Sequence, residues 1–203
     1  VTFTATVTAV APATGTPTGN VTFNVDGVNQ APVAINGSGQ ATFTSSTLTS
    51  GSHTITASYA GDSNFNSSTS AGLTQTVNKG GTTSAISSAT NPSTFGQNVT
   101  FTATVAAVAP ATGTPTGTMT FNGASGAPVT VPLSGGSATF STSTLALGPH
   151  SVTVTYNGDA NFNTSSSAAL TQTVNAAGNT ITFNKPPDTP FPSTPPTLNA
   201  TAT

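Results

Sequence analysis

The sequence predicts an all-β protein made of tandem antiparallel β-sandwiches. The first observation is a set of short segments in which apolar residues alternate with threonine, a period of two that is typical of strands with one buried face. Turn-forming Gly, Pro and Asn residues separate these segments, and no segment has a helical period. A unit of about 97 residues also occurs twice, which predicts two domains of the same fold.

The repeat sets the expected domain boundaries. "VTFTATVTAVAPATGTPTG" at 1–19 returns at 99–117 with a single change, Thr8 to Ala106, and both copies end in "LTQTVN". We predict a first repeat at 1–78 that lacks its first strand, and a complete second repeat at 79–177. The Pro-rich segment 178–203, with "NTITFN" and "TLNATAT", is predicted to be the first two strands of a further, different repeat.

The alternation identifies the strands and their buried faces. In "VTFTATV" of the second repeat, Val99, Phe101, Ala103 and Val105 are predicted to face the core, with the intervening threonines facing out. The same pattern occurs in "TMTFN", "APVTVPL", "SATFS" and "HSVTVTY". Turn sequences separate these segments, so a two-sheet sandwich is expected in each repeat.

Composition excludes several classes of partner. Only 3% of the residues are charged, with two lysines, four acids and no arginine, so the chain offers no basic surface for nucleic acid. No apolar run approaches the roughly 18 residues of a membrane helix, and no membrane insertion is expected. Cysteine is absent. A Thr/Ser/Asn-rich, cysteine-free composition is typical of secreted bacterial surface proteins, so we expect an extracellular or cell-surface location.

A family resemblance follows from three segments in order: "GQNVTFTATV", "GTPTGTMTF" and "GGSATFSTSTLALGPHSVTVTYNGDANFNTSSSAALTQTV". Residues 1–177 resemble the bacterial immunoglobulin-like repeats of group 3, and the segment after 178 departs from that pattern. The resemblance implies tandem immunoglobulin-like β-sandwiches that form a stalk or adhesin module of a large secreted or surface protein. It implies no catalytic residues.

The loops "YAGDSNF" and "YNGDANF" hold half of the four acids and are the most site-like segments. We interpret them as structural turns, because Gly can adopt positive φ and Asp accepts hydrogen bonds from nearby backbone N–H groups. The turn residues are Gly61, Asp62 and Phe65, and Gly158, Asp159 and Phe162. The alternative is Ca²⁺ at Asp62 and Asp159, but Ca²⁺ takes six to eight oxygen ligands and each loop offers one carboxylate. No cofactor is expected.

Other reactive residues have structural interpretations. His53 and His150 share strand parity with apolar residues, so they are predicted to be packed and hydrogen-bonded. No nucleophile, base and acid cluster by sequence, and no Gly-x-Ser-x-Gly motif occurs, so we do not expect an enzyme. Isopeptide cross-links from Lys79 or Lys185 would each need a nearby buried acid.

The functional prediction is a structural stalk or spacer that assembles into filaments through strand complementation or lateral packing. Its partners would be neighbouring repeats of the same chain or other copies. The first repeat is expected to expose a sheet edge, filled either by preceding residues of a longer repeat polypeptide or by "TITF" of another copy. The first source is preferred, because the second leaves "TLNATAT" without a place. The alternative function is an adhesive module whose "APATGTPTG" loop tips bind a surface glycan or a protein.

Overall fold

The strands follow the alternation of apolar residues and threonine. The computed structural model describes residues 1–185, residue 188 and residues 200–202, and this part of the chain contains strands and turns but no helix. The all-β prediction is confirmed. The strands of the first repeat are β1 (Thr2–Thr6), β2 (Asn20–Val25), β3 (Val28–Asn29), β4 (Val33–Ala34), β5 (Gln40–Thr44), β6 (Gly51–Tyr59), β7 (Ser68–Thr69) and β8 (Leu73–Val77).

The second repeat adds nine strands, and two more follow it. They are β9 (Thr82–Ser88), β10 (Ser93–Thr94), β11 (Val99–Ala107), β12 (Thr118–Asn122), β13 (Val129–Pro132), β14 (Ser137–Thr142), β15 (Gly148–Tyr156), β16 (Ser165–Ser166), β17 (Leu170–Asn175), β18 (Ile181–Phe183) and β19 (Ala200–Ala202). Strands β18 and β19 form an antiparallel pair. The rest of the predicted third segment, residues 186–187, 189–199 and 203, lies outside the described residues.

The first repeat is built from two sheets. Strands β1 and β5 form an antiparallel pair in which Phe3 lies opposite Phe43. The second sheet has the order β3-β2-β6-β7, with β4 also on β2 and β8 also on β6. Side chains from both sheets meet in a core that includes Phe3, Val21 and Phe23.

The second repeat has the same plan with more strands. One sheet has the order β14-β11-β9, and the other has the order β10-β17-β15-β12-β13, with β16 on β15. Strand β10 runs parallel to β17, so the antiparallel prediction has an exception here. The chain crosses from one sheet to the other between β9 and β10 and meets β17 in the same direction.

Burial along β11 shows the predicted alternation. Val99, Phe101, Ala103 and Val105 are each 6% exposed or less, whereas Thr104 faces solvent. Fully burying a side chain of this kind contributes about 1.5–3 kcal/mol for the larger residues. The inward set of this strand is therefore a main contributor to the stability of the second repeat.

Contacts divide the chain into two compact units. One comprises Val1–Thr82, Ala107–Pro115 and Gly158–Thr164. The other comprises Thr83–Ala106, Thr116–Asn157 and the described residues from Ser165 onward.

Candidate functional site

The loop after β6 closes on its own backbone through Asp62. The Asp62 Oδ1 atom accepts hydrogen bonds from the backbone N–H groups of Asn64 and Phe65, both at 2.8 Å. The Asp62 N–H donates to the Phe65 carbonyl at 2.9 Å. Gly61 has φ +88°, and a Cβ there would lie 2.9 Å from the same carbonyl, so the turn requires glycine.

The second oxygen of Asp62 joins this loop to the one before β2. Oδ2 accepts hydrogen bonds from the Thr18 N–H and from the Thr18 hydroxyl, both at 2.8 Å. The hydrogen bond from the Asn64 N–H, followed by those from Thr18, holds the pKa of Asp62 well below its usual range. Asp62 therefore ties together two loops that are 44 residues apart in sequence.

The second repeat builds the same turn. Asp159 Oδ1 accepts hydrogen bonds from the Asn161 and Phe162 N–H groups at 2.8 Å, and the Asp159 N–H donates to the Phe162 carbonyl at 3.1 Å. Gly158 has φ +76°. The two acidic loops therefore share one hydrogen-bond pattern.

The phenylalanine of each loop packs against a glycine-rich turn. Phe65 packs against the core of the first repeat, and a Cβ at Gly15 would lie 3.8 Å from its ring. Phe162 is 7% exposed. A Cβ at Gly113 would lie 3.7 Å from the Phe162 ring, and one at Gly80 would lie 3.1 Å from it. Each aromatic ring thus holds a "TGTPTG" turn in place.

The groups that surround the Asp62 carboxylate are N–H and O–H donors, whereas a bound cation would need further oxygen ligands. A Ca²⁺ ion would have to displace the four hydrogen bonds that Asp62 accepts. Across residues 1–185, 188 and 200–202, no three His, Cys, Asp or Glu residues come together as a metal-binding group.

A histidine and a carboxylate form an ionisable pair in the first repeat. His53 is 8% exposed, and its Nδ1 lies 2.7 Å from Asp26 Oδ2, while its Nε2 lies 2.9 Å from the Thr49 carbonyl. Both neighbours are acceptors, so the arrangement is satisfied fully when both ring nitrogens carry a proton. The Asp26 hydrogen bond raises the pKa of His53, and the same bond lowers the pKa of Asp26.

The second repeat lacks this pair. His150 is half-buried, and its Nε2 lies 2.8 Å from the Ala146 carbonyl. The segment after "VTFN" in the first repeat reads "VDGVNQ", whereas the corresponding segment after "MTFN" in the second repeat reads "GASG" and has no acid. Sequence reasoning overlooked Asp26, although the difference between these connections could have identified it.

A buried amide network is specific to the second repeat. Gln172 is fully buried; its Oε1 accepts from the Ser88 hydroxyl at 2.6 Å, and its Nε2 donates to the Thr90 carbonyl at 2.9 Å and to Ser93 Oγ at 3.2 Å. Three residues from the β9–β10 region thus hold one side chain of β17. Sequence reasoning also missed this residue, although its position between Leu170 and Val174 predicts an inward side chain.

In the second repeat, β9 and β10 cover one face of the sandwich. The corresponding face of the first repeat is open. Within the described part of the chain, β1 is paired only with β5. A groove of about 450 Å³ lies beside β1. It is lined by residues of β1, β2, β6 and β7 and by the start of β8, and none of these residues is charged. Leu73 lies at this groove with 55% of its surface exposed.

The two lysines lie at exposed positions. Lys79 Nζ donates to the Asp159 backbone carbonyl. Lys185 Nζ lies 2.9 Å from Asp188 Oδ1, in an ion pair exposed on both sides. An isopeptide cross-link would require a buried acid next to the lysine, and these contacts do not provide one.

The two-sheet sandwiches and the self-closing acidic loops define a protein made of tandem β-sandwich modules. No helix in the described part of the chain is long and apolar enough to cross a membrane. The model of the bacterial Ig-like domain (group 3) matches residues 1–78 and 86–175. The chain belongs to this family, as the sequence predicted.

Similar solved structures are distant. The fibronectin(III)-like modules of Clostridium thermocellum CbhA are 12% identical over 86% of this chain and 85% of that chain, with a TM-score of 0.30. Dimeric latent PorU from Porphyromonas gingivalis is 15% identical over 78% of this chain and 16% of that chain, with a TM-score of 0.36. The comparison with curated proteins returns no match.

Proposed function

We propose that the chain is a non-catalytic spacer in the stalk or fibre of an extracellular bacterial protein. Bacterial immunoglobulin-like domains commonly occur in extracellular proteins, and domains of this type are typically not catalytic. The observation that carries the proposal is the set of hydrogen bonds within the two acidic loops. In each repeat the carboxylate closes its own turn, so the most site-like segment of the sequence serves the fold.

The outer face of the β1–β5 sheet supports lateral packing of such spacers into filaments. Thr2, Thr4 and Thr6 are exposed, with Thr44 opposite Thr2 and Thr42 opposite Thr4. The Thr2 and Thr44 hydroxyls lie 3.0 Å apart. Rows of hydroxyls without charge can approach a second such face without electrostatic repulsion.

Arrays of glycans and surface proteins, probed with the intact chain, test the proposal. A spacer gives no saturable binding, and replacing only the "APAT" tips at 11–14 and 109–112 with Gly/Ser sequence, which keeps Thr18 and the buried Pro17, leaves the array signal unchanged. A saturable ligand that is lost in the loop-replaced chain would contradict the spacer function and support the adhesive alternative. Electron microscopy over a range of protein concentrations tests filament assembly separately.

A further inference from the structure

A linker of four residues, 78–81, joins the two repeats, since β8 ends at Val77 and β9 begins at Thr82. Its sequence, "NKGG", has the composition of a flexible tether. The structure nevertheless gives it hydrogen-bond partners in two segments, Ala107–Pro115 and Gly158–Thr164, which belong to the same compact unit as the linker. The linker is therefore a packed part of the fold.

The acidic loop of the second repeat pairs with the linker through its backbone. The Gly80 N–H donates to the Asn161 carbonyl at 2.8 Å, and the Asn163 N–H donates to the Gly80 carbonyl at 2.9 Å. Gly80 therefore lies beside Phe162 as in a parallel pair of strands. Both backbone polar groups of Gly80 are thus hydrogen-bonded to this loop.

Asn163 extends the contact to both sides of Gly80. Its side-chain amide donates to the Lys79 carbonyl at 3.3 Å, and its own carbonyl accepts a hydrogen bond from the Thr82 hydroxyl at 2.9 Å. The Lys79 ammonium group also donates to the Asp159 carbonyl. The carbonyl and the N–H of the peptide bond between Lys79 and Gly80 are therefore both bonded to the acidic loop.

The loop after β11 also binds the linker. The Val108 N–H donates to the Gly81 carbonyl at 2.9 Å. A Cβ at Gly80 would lie 2.6 Å from the Ala111 Cβ and 3.1 Å from the Phe162 ring, so both loops close on this residue. Gly80 is therefore required by the close approach of its neighbours, and a side chain there would push the linker away from them.

The linker contains the single tryptic site of the sequence. Trypsin cleaves after Lys and Arg; the chain has two lysines and no arginine, and Lys185 is followed by proline, which blocks cleavage. Lys79 is exposed, and exposed linkers are preferred sites of proteolysis. A protease binds its substrate as an extended segment, so a bond whose carbonyl and N–H are both engaged is cut only after local opening.

We propose that the segments Ala107–Pro115 and Gly158–Thr164 form a clasp that binds the linker and shields its Lys79–Gly80 bond from trypsin-like proteases. The clasp gives the acidic loop a second role besides closing its own turn, because the loop also holds the chain that enters the repeat. The two linker glycines differ in this respect, since Gly80 serves close packing. The proposal rests on these contacts and stands whether or not the chain is a spacer.

Trypsin digestion of the intact protein, with mass spectrometry of the products 1–79 and 80–203, tests the clasp. The reference is a synthetic peptide of residues 74–86, which contains the same bond without the clasp. The bond in the folded protein should be cut at least about 100-fold more slowly than in the peptide, because cleavage follows the small fraction of open linker. Cleavage at the rate of the peptide would overturn the proposal.

Two linker variants separate packing from flexibility. Gly80→Ala adds a Cβ for which the clasp has no room, whereas Gly81→Ala adds one that makes an ordinary contact with Val108 at 3.8 Å. Each rate is divided by that of a 74–86 peptide with the same substitution. Gly80→Ala should then be cut at least about tenfold faster than the unchanged protein, and Gly81→Ala at the unchanged rate. Equal rates for the two variants would overturn the proposal.

A matched pair outside the linker leaves the tryptic site unchanged and decides the question even if Gly80→Ala fails to fold. Asn163→Ala removes the side-chain bond to the Lys79 carbonyl, and Asn66→Ala makes the same change in the acidic loop of the first repeat. Both side chains are exposed, so both variants should stay folded, as circular dichroism melting will verify. Asn163→Ala should speed cleavage about two- to tenfold, and Asn66→Ala should not. Similar rates in both variants would contradict the assignment of the clasp to this loop.

Discussion

Replacing Gln172 with alanine should destabilise the second repeat far more than the matched change destabilises the first. The Gln172 side chain is fully buried and makes hydrogen bonds to three residues of the β9–β10 region. At about 1 kcal/mol net for each bond, their loss amounts to about 3 kcal/mol, with the cavity adding to it. The corresponding Gln75→Ala change should stay within about 0.5 kcal/mol, because that side chain is only partly buried and its amide donates to the carbonyl of the adjacent Thr76.

The chain provides its own spectroscopic reporters for this comparison. It contains two tyrosines and no tryptophan, with Tyr59 in the first repeat and Tyr156 in the second. In a Tyr59→Phe background, tyrosine fluorescence reports unfolding of the second repeat, and in a Tyr156→Phe background it reports the first. A loss of about 3 kcal/mol, with a urea dependence of about 1–3 kcal/mol per molar, lowers the midpoint by about 1–3 M.

The result that would refute this reasoning is a similar midpoint shift for both glutamines. It would mean that the buried network around Gln172 contributes little more to stability than the contacts of the partly buried Gln75 side chain. A third variant, Gln172→Glu, keeps the shape and removes the amide donors. It should be destabilised most at neutral pH and should recover as the pH falls, because protonation removes a buried charge.

Three further predictions use pH and backbone geometry. Hydrogen bonds from backbone N–H groups hold the pKa of Asp62 below its ordinary value of 3.8, so its contribution to stability is present above pH 3.8 and is lost as the pH falls. In Asp62→Asn, the urea midpoint should therefore depend less on pH between pH 2 and 7 than it does in the unchanged protein. The Asp26 carboxylate raises the pKa of the His53 imidazole, so the stability that this pair contributes is complete below pH 6.5 and is lost as the pH rises through the pKa of the folded protein. His53→Gln should abolish this pH dependence of the urea midpoint between pH 5 and 9, whereas the control His150→Gln should leave it in place. Gly123→Ala should destabilise the protein by about 1–3 kcal/mol in thermal melts, because Gly123 has φ +78° and the new Cβ would clash with the Ser151 backbone carbonyl. The control Gly126→Ala should be near neutral, because no atom lies within 4 Å of its new Cβ.

The fold was predictable because its determinants are local and repeated. Alternation of Val99, Phe101, Ala103 and Val105 with threonine specifies which face of β11 is buried, and the second copy of the pattern shows that it is not accidental. The parallel β10–β17 pair was not predicted. It depends on where the chain crosses between sheets, and no residue in the short β10 segment signals a direction.

The contacts of the acidic loop were only partly predictable. The hydrogen bonds that the Asp62 carboxylate accepts from its own loop follow from Asp and Gly turn chemistry within three residues. The bonds from Thr18 span 44 residues, and only the packing of the two sheets brings that threonine to the carboxylate. The pairing of His53 with Asp26 was missed for the same reason, since Asp26 lies in the turn after β2 and His53 lies on β6, 27 positions further along the chain.

Near-identity of β1 and β11 also has a consequence for how the chain reaches its native state. The segments that contain them differ at one position in nineteen, 1–19 against 99–117, and both place phenylalanine opposite phenylalanine and alanine opposite alanine on β5 and β14. Strands β1 and β11 can therefore each pair with β5 or with β14, and a denatured chain has two nearly equivalent strand pairings with which to begin folding. Exchange of these strands between repeats is a trap inherent in the duplication, and it will compete with correct refolding whenever both repeats are unfolded together.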